Sequence, residues 1–317
     1  MVSRQDVEMA YRLILGREPD SEESLRGHMA NHESVDQLRH TFFGSEEFRT
    51  AVRPELVSGK PLVWPPIPVE TEVSPAQLQE MIARVERNFR HMGETEPHWS
   101  VLTYDRYKAE NIATTEREFF DSGRGVVDEF RATAARSGVD LRAIRSVLEL
   151  GCGVGRSTIW LAQMFPKVFG ADVSEPHLKI AAEAARAFGH ANIELLHVDT
   201  IARLADLPPI DGFFSIIVLQ HNPPPLICHI LRTVLGKLNP NGVAYFQIPT
   251  YARGYTFDAG RYLATPVALG DPEMHVVPQA ALLELITQTG CRLLELREDD
   301  ASGGSFISNR VLVKKVA

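Results

Sequence analysis

Ser146-Val147-Leu148-Glu149-Leu150-Gly151-Cys152-Gly153-Val154-Gly155-Arg156-Ser157-Thr158-Ile159-Trp160-Leu161-Ala162 is the stretch that decides the fold. Residues 146–150 read as a short apolar strand, 151–155 as a turn with a glycine at every second position, and 157–162 as the start of a helix. Strand, glycine turn and helix together aim backbone N–H groups and a helix N-terminus at a ligand. Glycine is required there because side chains would block a close approach. Glu149 ends a buried strand, where a carboxylate needs partners, so it belongs to the candidate site.

The spacing downstream extends the pattern. Val168-Phe169-Gly170-Ala171-Asp172 reads as a second strand ending in an acid about 20 residues past the loop, where a carboxylate can accept both hydroxyls of a ribose. Residues 192–199 read as a third strand ending in Asp199, and residues 211–221 as a fourth ending in Leu219-Gln220-His221. Strands alternate with helices, which predicts an α/β fold with a parallel sheet wound on both sides. A nicotinamide-binding loop would prefer Gly-x-Gly-x-x-Gly, yet position 156 is Arg and the third glycine comes one residue early. A dehydrogenase is disfavoured on that ground.

Glu149-x-Gly151-x-Gly153-x-Gly155, Asp172, Asp199 and the Leu238-Asn239-Pro240-Asn241-Gly242 turn resemble a class I S-adenosylmethionine-dependent methyltransferase of the small-molecule type. Asn241 replaces a glycine of that turn, and Asn tolerates the left-handed backbone it needs. The resemblance implies a Rossmann-like, doubly wound, mostly parallel seven-stranded sheet with an antiparallel C-terminal strand, and S-adenosylmethionine as cofactor. By position it implies that Glu149, Gly151, Gly153 and Gly155 surround the methionine end of the cofactor and that Asp172 takes the ribose. Asp199 or its neighbours would meet the adenine, and Gln220 with His221 would sit at the transfer end. A helix N-cap before Ile201 is the plainer role for Asp199.

His221-Asn222-Pro223-Pro224-Pro225 has two readings. The Asn-Pro-Pro is similar to the motif of amino-methyltransferases acting on bases or glutamine, but Pro225 stands where their stacking aromatic would be. Alternatively, the prolines end the strand and start a helix, orienting His221 and Asn222 over the pocket. His221 is then the expected general base, with an unperturbed pKa near 6.5. Tyr104, Asn222 and Tyr251 are expected to line the acceptor pocket, and His275 is a second candidate base. A bland alternative, packing for the aromatics and a loop hydrogen bond for the histidine, stands beside each.

The remaining chain surrounds this core. Residues 1–52 read as a helical accessory module, 53–73 as a proline-rich linker that Trp64 could anchor, 74–120 as a helical lid, and 121–317 as the methyltransferase domain. Ser74 with Pro75 marks a helix start, and Ser45 with Glu46-Glu47 another. The segment from Tyr11 to Asp20, Tyr-Arg-Leu-Ile-Leu-Gly-Arg-Glu-Pro-Asp, with Ser45-Glu46-Glu47-Phe48, resembles a short bacterial helical module found in surface-associated and polysaccharide-related proteins. It is also somewhat like the helical domain of phycobilisome linkers. That resemblance implies a protein partner docking through residues 1–52, while Arg17 and Asp20 read as holding the turn.

Composition bounds the function. Among 317 residues, 33 Lys+Arg against 41 Asp+Glu leave a net charge of −8, which opposes a whole-protein grip on nucleic acid or anionic lipid. No apolar run approaches the roughly 20 residues of a membrane span. Met1 to Ala10 lacks the apolar stretch of a signal peptide. Three widely spaced cysteines, Cys152, Cys228 and Cys291, fit a reduced cytoplasmic setting and form no metal-type pairing. Glu298-Asp299-Asp300 reads as a solvated loop rather than a metal site, so no metal is expected. The expectation is a cytoplasmic methyltransferase acting on a small polar, sugar or glycan-type acceptor. The rival from another class is a non-catalytic scaffold that binds cofactor and docks a partner.

Overall fold

The computed structural model describes residues 2–48, 65–266 and 268–316, and it divides into two units, Met1–Pro66 and Ile67–Ala317. Most of the expected linker, Trp64 included, lies outside the described residues.

In the small unit, α1 (Arg4–Ala10) starts with a reciprocal cap between Ser3 and Asp6, and runs on as a π-turn over Tyr11–Leu15. Gly16 ends it at φ 68°, the left-handed conformation that a helix C-terminus favours glycine for. α2 (Glu22–Asn31) and α3 (Val35–Phe43) are capped by the hydroxyls of Ser21 and Ser34. Ser45 accepts from the Phe48 N–H at 3.1 Å, which is the cap expected there. Val7, Tyr11, Leu25, Leu38 and Phe42 form a core of its own. Arg17 donates to Asp20 at 2.7 Å, binds both carboxylate oxygens of Glu47, and lies 4.9 Å from the centroid of the Tyr11 ring. The two halves of the motif, residues 11–20 and 45–48, are therefore tied together by one arginine, which accounts for their residue types structurally.

The large unit begins with α4 (Pro75–Thr95), capped by Ser74 with Pro at its first position, and α5 (Ile112–Arg136). The sheet follows: β1 (Ser146–Leu150), α6 (Thr158–Met164), β2 (Lys167–Asp172), α7 (Glu175–Ala187), β3 (Ile193–His197), α8 (Ile201–Ala205) and β4 (Ile210–Ser215). Then come α9 (Pro224–Gly236), β5 (Leu238–Ala252), α10 (Ala259–Ala264), α11 (Gln279–Gln288), β6 (Cys291–Asp299) and β7 (Phe306–Lys315). The strand order is β3-β2-β1-β4-β5-β7-β6, and β7 runs antiparallel to both of its neighbours. This is the seven-stranded Rossmann-like sheet with a reversed last strand.

Alternate strand residues face opposite helix layers. Leu148, Phe213, Phe246 and Val311 pack under α4, α9 and α11 through Met81, Leu231 and Leu282. Val147, Phe214, Tyr245 and Leu312 meet α5 and α6 through Phe130 and Leu161. Because β1 and β4 are adjacent while their chain neighbours leave in opposite directions, their carboxyl ends open a crevice.

The strand expected over 211–221 needs correction. The fourth strand stops at Ser215, and Leu219–His221 is a 3-10 turn. The cause is Ile217, at φ 59°, which turns the chain out of the sheet. The Asn241 backbone is left-handed at φ 67°, as its place in the turn requires.

Candidate active site

Gly151, Gly153 and Gly155 have φ of 72°, 52° and 89°, a region that penalises side-chain-bearing residues. A Cβ on Gly151 would stand 2.3 Å from Val218 Cγ1, and one on Gly153 would stand 2.7 Å from Val101 Cγ2. The loop is held on both sides of β1. The Gly151 N–H donates to the Ala171 carbonyl at 2.7 Å, and the Gly153 N–H donates to Asp172 Oδ2 at 2.8 Å. The Ser174 N–H donates to Asp172 Oδ1 at 2.9 Å. Each carboxylate oxygen retains acceptor capacity for a ligand. Glu149 lies in the same floor, accepting from the Thr158 hydroxyl at 2.5 Å, and burial pushes its carboxyl up to about 8.

Above the loop lies a lid that precedes the sheet in sequence. Val85 and Phe89 of α4, with Ser100 and Val101 after it, close one side of a cavity whose floor is Glu149, the glycine loop, Asp172 and Val218. The cavity encloses about 830 Å³ of empty space including its mouth. His177 latches the lid to it. The Ser174 hydroxyl donates to the Phe89 carbonyl at 3.1 Å and so accepts from His177 Nδ1 at 2.6 Å, while His177 Nε2 meets the Ser100 hydroxyl at 2.7 Å. Gly93 permits this approach, since a Cβ there would come within 2.7 Å of both His177 Nδ1 and Ser174 Oγ.

A second cavity, of about 910 Å³, adjoins the first and shares Ser100, Val101, Ile217 and His221 with it. Its other walls include Tyr104, Gln220, Met274 and Ser302. Its polar side chains are hydroxyls, an amide and an imidazole, and among the described residues no Lys or Arg lines it. A β-branched residue at positive φ costs of order 1–3 kcal/mol, so Ile217 is strained at the junction of the two cavities. A buried amide network over-determines it. Gln247 Oε1 accepts from the Ile217 N–H at 3.1 Å, and the two hydrogens of Gln247 Nε2 are shared among Gln220 Oε1, Ser302 Oγ and Ser308 Oγ at 2.9, 3.0 and 2.6 Å.

His221 stands at the shared wall. Its Nδ1 is 2.8 Å from the Glu273 carbonyl oxygen, which can only accept, so Nδ1 carries the proton and Nε2 the lone pair. The Gln220 amide lies 3.3 Å from that Nε2. Burial pushes the His221 pKa down to about 4, which keeps the ring neutral at physiological pH. The Glu273 strap is itself anchored: its carboxylate accepts from Tyr262 at 2.9 Å and meets His275 Nε2 at 3.0 Å.

The expected site residues divide accordingly. Glu149, Gly151, Gly153, Asp172, His221 and Asn222 line the first cavity. The Asn222 amide donates to the Val218 carbonyl at 2.9 Å, and α9 opens with Pro224 and Pro225, so the proline run starts a helix. Gly155 lies behind the loop, where an added Cβ would touch Ala181 at 3.4 Å. Gln220, expected at the cofactor, faces the second cavity with Tyr104. Asp199 lines neither cavity and pairs with Arg203 at 3.0 Å; Thr200, rather than Asp199, caps α8. Tyr251 lies on β5 opposite Ile307 and lines neither cavity. His275 lines a separate cleft with Tyr255 and Tyr262, and its Nδ1 meets the Tyr255 hydroxyl at 2.8 Å. Sequence reasoning missed Phe89, Ser100, Val101, His177, Gln247 and Ser302. Arg156, read only as a missing glycine, lines the first cavity too. Among the described residues no cluster of His, Cys, Asp and Glu is fit to hold a metal.

Comparison with known proteins agrees with this geometry. Residues 147–242 match the family described as a methyltransferase domain. The trans-aconitate 2-methyltransferase of Rhodopseudomonas palustris is 35% identical over 143 residues, 44% of this chain and 50% of that protein. The enzyme of the same name from Azoarcus sp. is 33% identical over 124 residues, 38% of this chain and 46% of that protein. The chain thus spans about half the length of the curated relatives it matches. Among solved structures, the magnesium protoporphyrin IX methyltransferase of Synechocystis with bound SAH superposes at a TM-score of 0.52 and 18% identity. That match covers 74% of this chain and 99% of that one, a likeness of fold.

Proposed function

With a class I S-adenosylmethionine-dependent methyltransferase domain in its large unit, we propose that this chain moves the methyl group of S-adenosylmethionine to a small polar acceptor. The reacting group is a hydroxyl, and a sugar or surface-polysaccharide precursor is the acceptor class we favour. What carries the reading is that the glycine-loop cavity and a second, neutral polar cavity meet at Ser100, Val101, Ile217 and His221.

The first cavity fits the cofactor on three counts. Gly151 and Gly153 present bare backbone where a Cβ would collide with the cavity walls Val218 and Val101, Asp172 has acceptor capacity beside the loop, and Arg156 Nε is a buried donor without a partner among the described residues. Glu149 and the loop would hold the amino-acid end, and Asp172 the ribose. The cofactor would supply an electrophilic methyl group bonded to a sulfonium. Val85, Phe89 and Val101 would exclude water from it. On the other side, Tyr104, Gln220 and Ser302 would orient the acceptor.

His221 Nε2 would accept the hydrogen bond of the acceptor hydroxyl and then its proton. A weak base suffices, because an alcohol becomes far more acidic once its oxygen is alkylated. The relatives' acceptor, trans-aconitate, is a polycarboxylate, which a cavity without Lys or Arg would hold poorly. That difference supports a neutral acceptor here. Three buried free thiols support a cytoplasmic setting. Among the described residues no helix is long and apolar enough to cross a membrane. Residues 1–52 would dock a protein partner, with Leu13 as an exposed apolar contact.

The test is transfer of label from methyl-labelled S-adenosylmethionine into a fractionated small-molecule extract, with and without His221→Ala. Label in a neutral hydroxyl compound, lost by about 100-fold or more in the variant, is expected. Label in a polycarboxylate would replace the acceptor class, and no label with a cofactor-saturated protein would favour the scaffold.

A further inference from the structure

Arg156 follows the glycine loop directly and is only 5% exposed, yet it lines the first cavity. Its Nη1 donates to the neutral Ser122 hydroxyl at 3.2 Å, and among the described residues its Nε has no hydrogen-bond partner. No carboxylate forms an ion pair with it among the described residues, although the molecule pairs most of its other arginines. Glu149 is the acid whose charge acts on it most, and burial pushes that carboxyl up to about 8, so it offers little negative charge at neutral pH. A buried cation without a counter-ion is costly, and such a cost persists where a ligand removes it.

We propose that Arg156 is the counter-ion for the carboxylate at the amino-acid end of the bound cofactor. The inference rests on the cofactor reading above and sharpens it to one residue. Three observations point the same way. The guanidinium borders the cavity beside the glycine loop, one of its donors is orphaned, and S-adenosylmethionine carries a carboxylate as its sole anionic group. Arg156 is also held in place from below. A Cβ on Gly123 of α5 would fall 2.1 Å from the Arg156 carbonyl oxygen, so α5 is seated directly against this backbone.

The experiment compares two ligands on the full chain by calorimetry: S-adenosylhomocysteine, and the same molecule lacking the carboxylate. The unaltered protein is expected to bind the first more tightly by tenfold or more. Arg156→Gln should weaken S-adenosylhomocysteine by tenfold or more while leaving the decarboxylated ligand within about threefold. Arg156→Lys, which keeps the charge, should retain part of the discrimination and serves if the Gln variant does not fold. Equal loss of both ligands in a folded variant, or no discrimination by the unaltered protein, overturns the assignment while leaving the cofactor reading intact. Failure of the unaltered protein to bind either ligand overturns both.

Discussion

The Gly153 amide lies 2.8 Å from Asp172 Oδ2, so the acid that ends β2 also fixes the glycine loop after β1. Asp172, the proposed ribose acceptor, is thus also the brace of the glycine loop. Asp172→Ala removes the acceptor of two buried N–H groups, those of Gly153 and Ser174. Each orphaned group costs roughly 1–3 kcal/mol, so a lower melting temperature should accompany a fall of tenfold or more in S-adenosylhomocysteine affinity. Unchanged affinity in a folded variant would remove Asp172 from the ribose site.

The lid is latched through Gly93 and His177. Gly93→Ala places a methyl group 2.7 Å from His177 Nδ1 and Ser174 Oγ, so α4 must shift away from α7. The expected result is weaker cofactor binding and faster proteolysis near residues 93–101, checked by calorimetry and limited digestion. Helix propensity alone would favour Ala by about 1 kcal/mol, so a stabilised variant would contradict the latch.

Buried groups set a pH optimum for stability. Burial holds His98 and His221 near 4 in the folded chain, against about 6.5 unfolded, so between those values the unfolded chain binds more protons and stability rises with pH. Glu149 works oppositely. Its folded value near 8 exceeds its ordinary 4.5, so the folded chain holds the extra proton and stability falls as pH rises across that range. His28, His177 and His229 are lowered by burial as well, so the histidines outweigh the one acid on the acidic side, and well above their ordinary range the acid dominates. Melting temperature should therefore peak near neutral pH, and Glu149→Gln should flatten the alkaline side. An equally steep alkaline fall in that variant would contradict the assignment.

The small unit has its own core and its own clamp. Deleting residues 1–66 should leave S-adenosylhomocysteine affinity unchanged within about twofold, since the cavity residues all lie in the large unit. Arg17→Ala should destabilise the small unit by at most about 1 kcal/mol, since its links to Asp20 and Glu47 are solvent-screened, without altering binding. Loss of cofactor affinity on deletion would contradict the placing of the site in the large unit alone.

Much of the sheet and half of the site were legible in sequence, for a physical reason. Gly151, Gly153 and Asp172 lie within one strand-turn-helix-strand unit, where spacing alone fixes geometry. The remainder depends on pairings between distant residues. Ser100 meets His177 across 77 positions, and Ser302 reaches Gln220 across 82, so no local pattern announces either. Ile217 was read as strand because β-branched residues favour strands, and the Gln247 hydrogen bond that holds it at positive φ comes from another strand. Asp199 had the spacing of a ligand residue, but Arg203, one helical turn on, takes its carboxylate.

The central claim is that the glycine-loop cavity holds S-adenosylmethionine. Calorimetric titration of the full chain with S-adenosylhomocysteine tests it most directly. Saturable binding of one ligand per chain is expected, weakened by tenfold or more in Asp172→Ala. A folded protein that shows no saturable binding at millimolar ligand would contradict it.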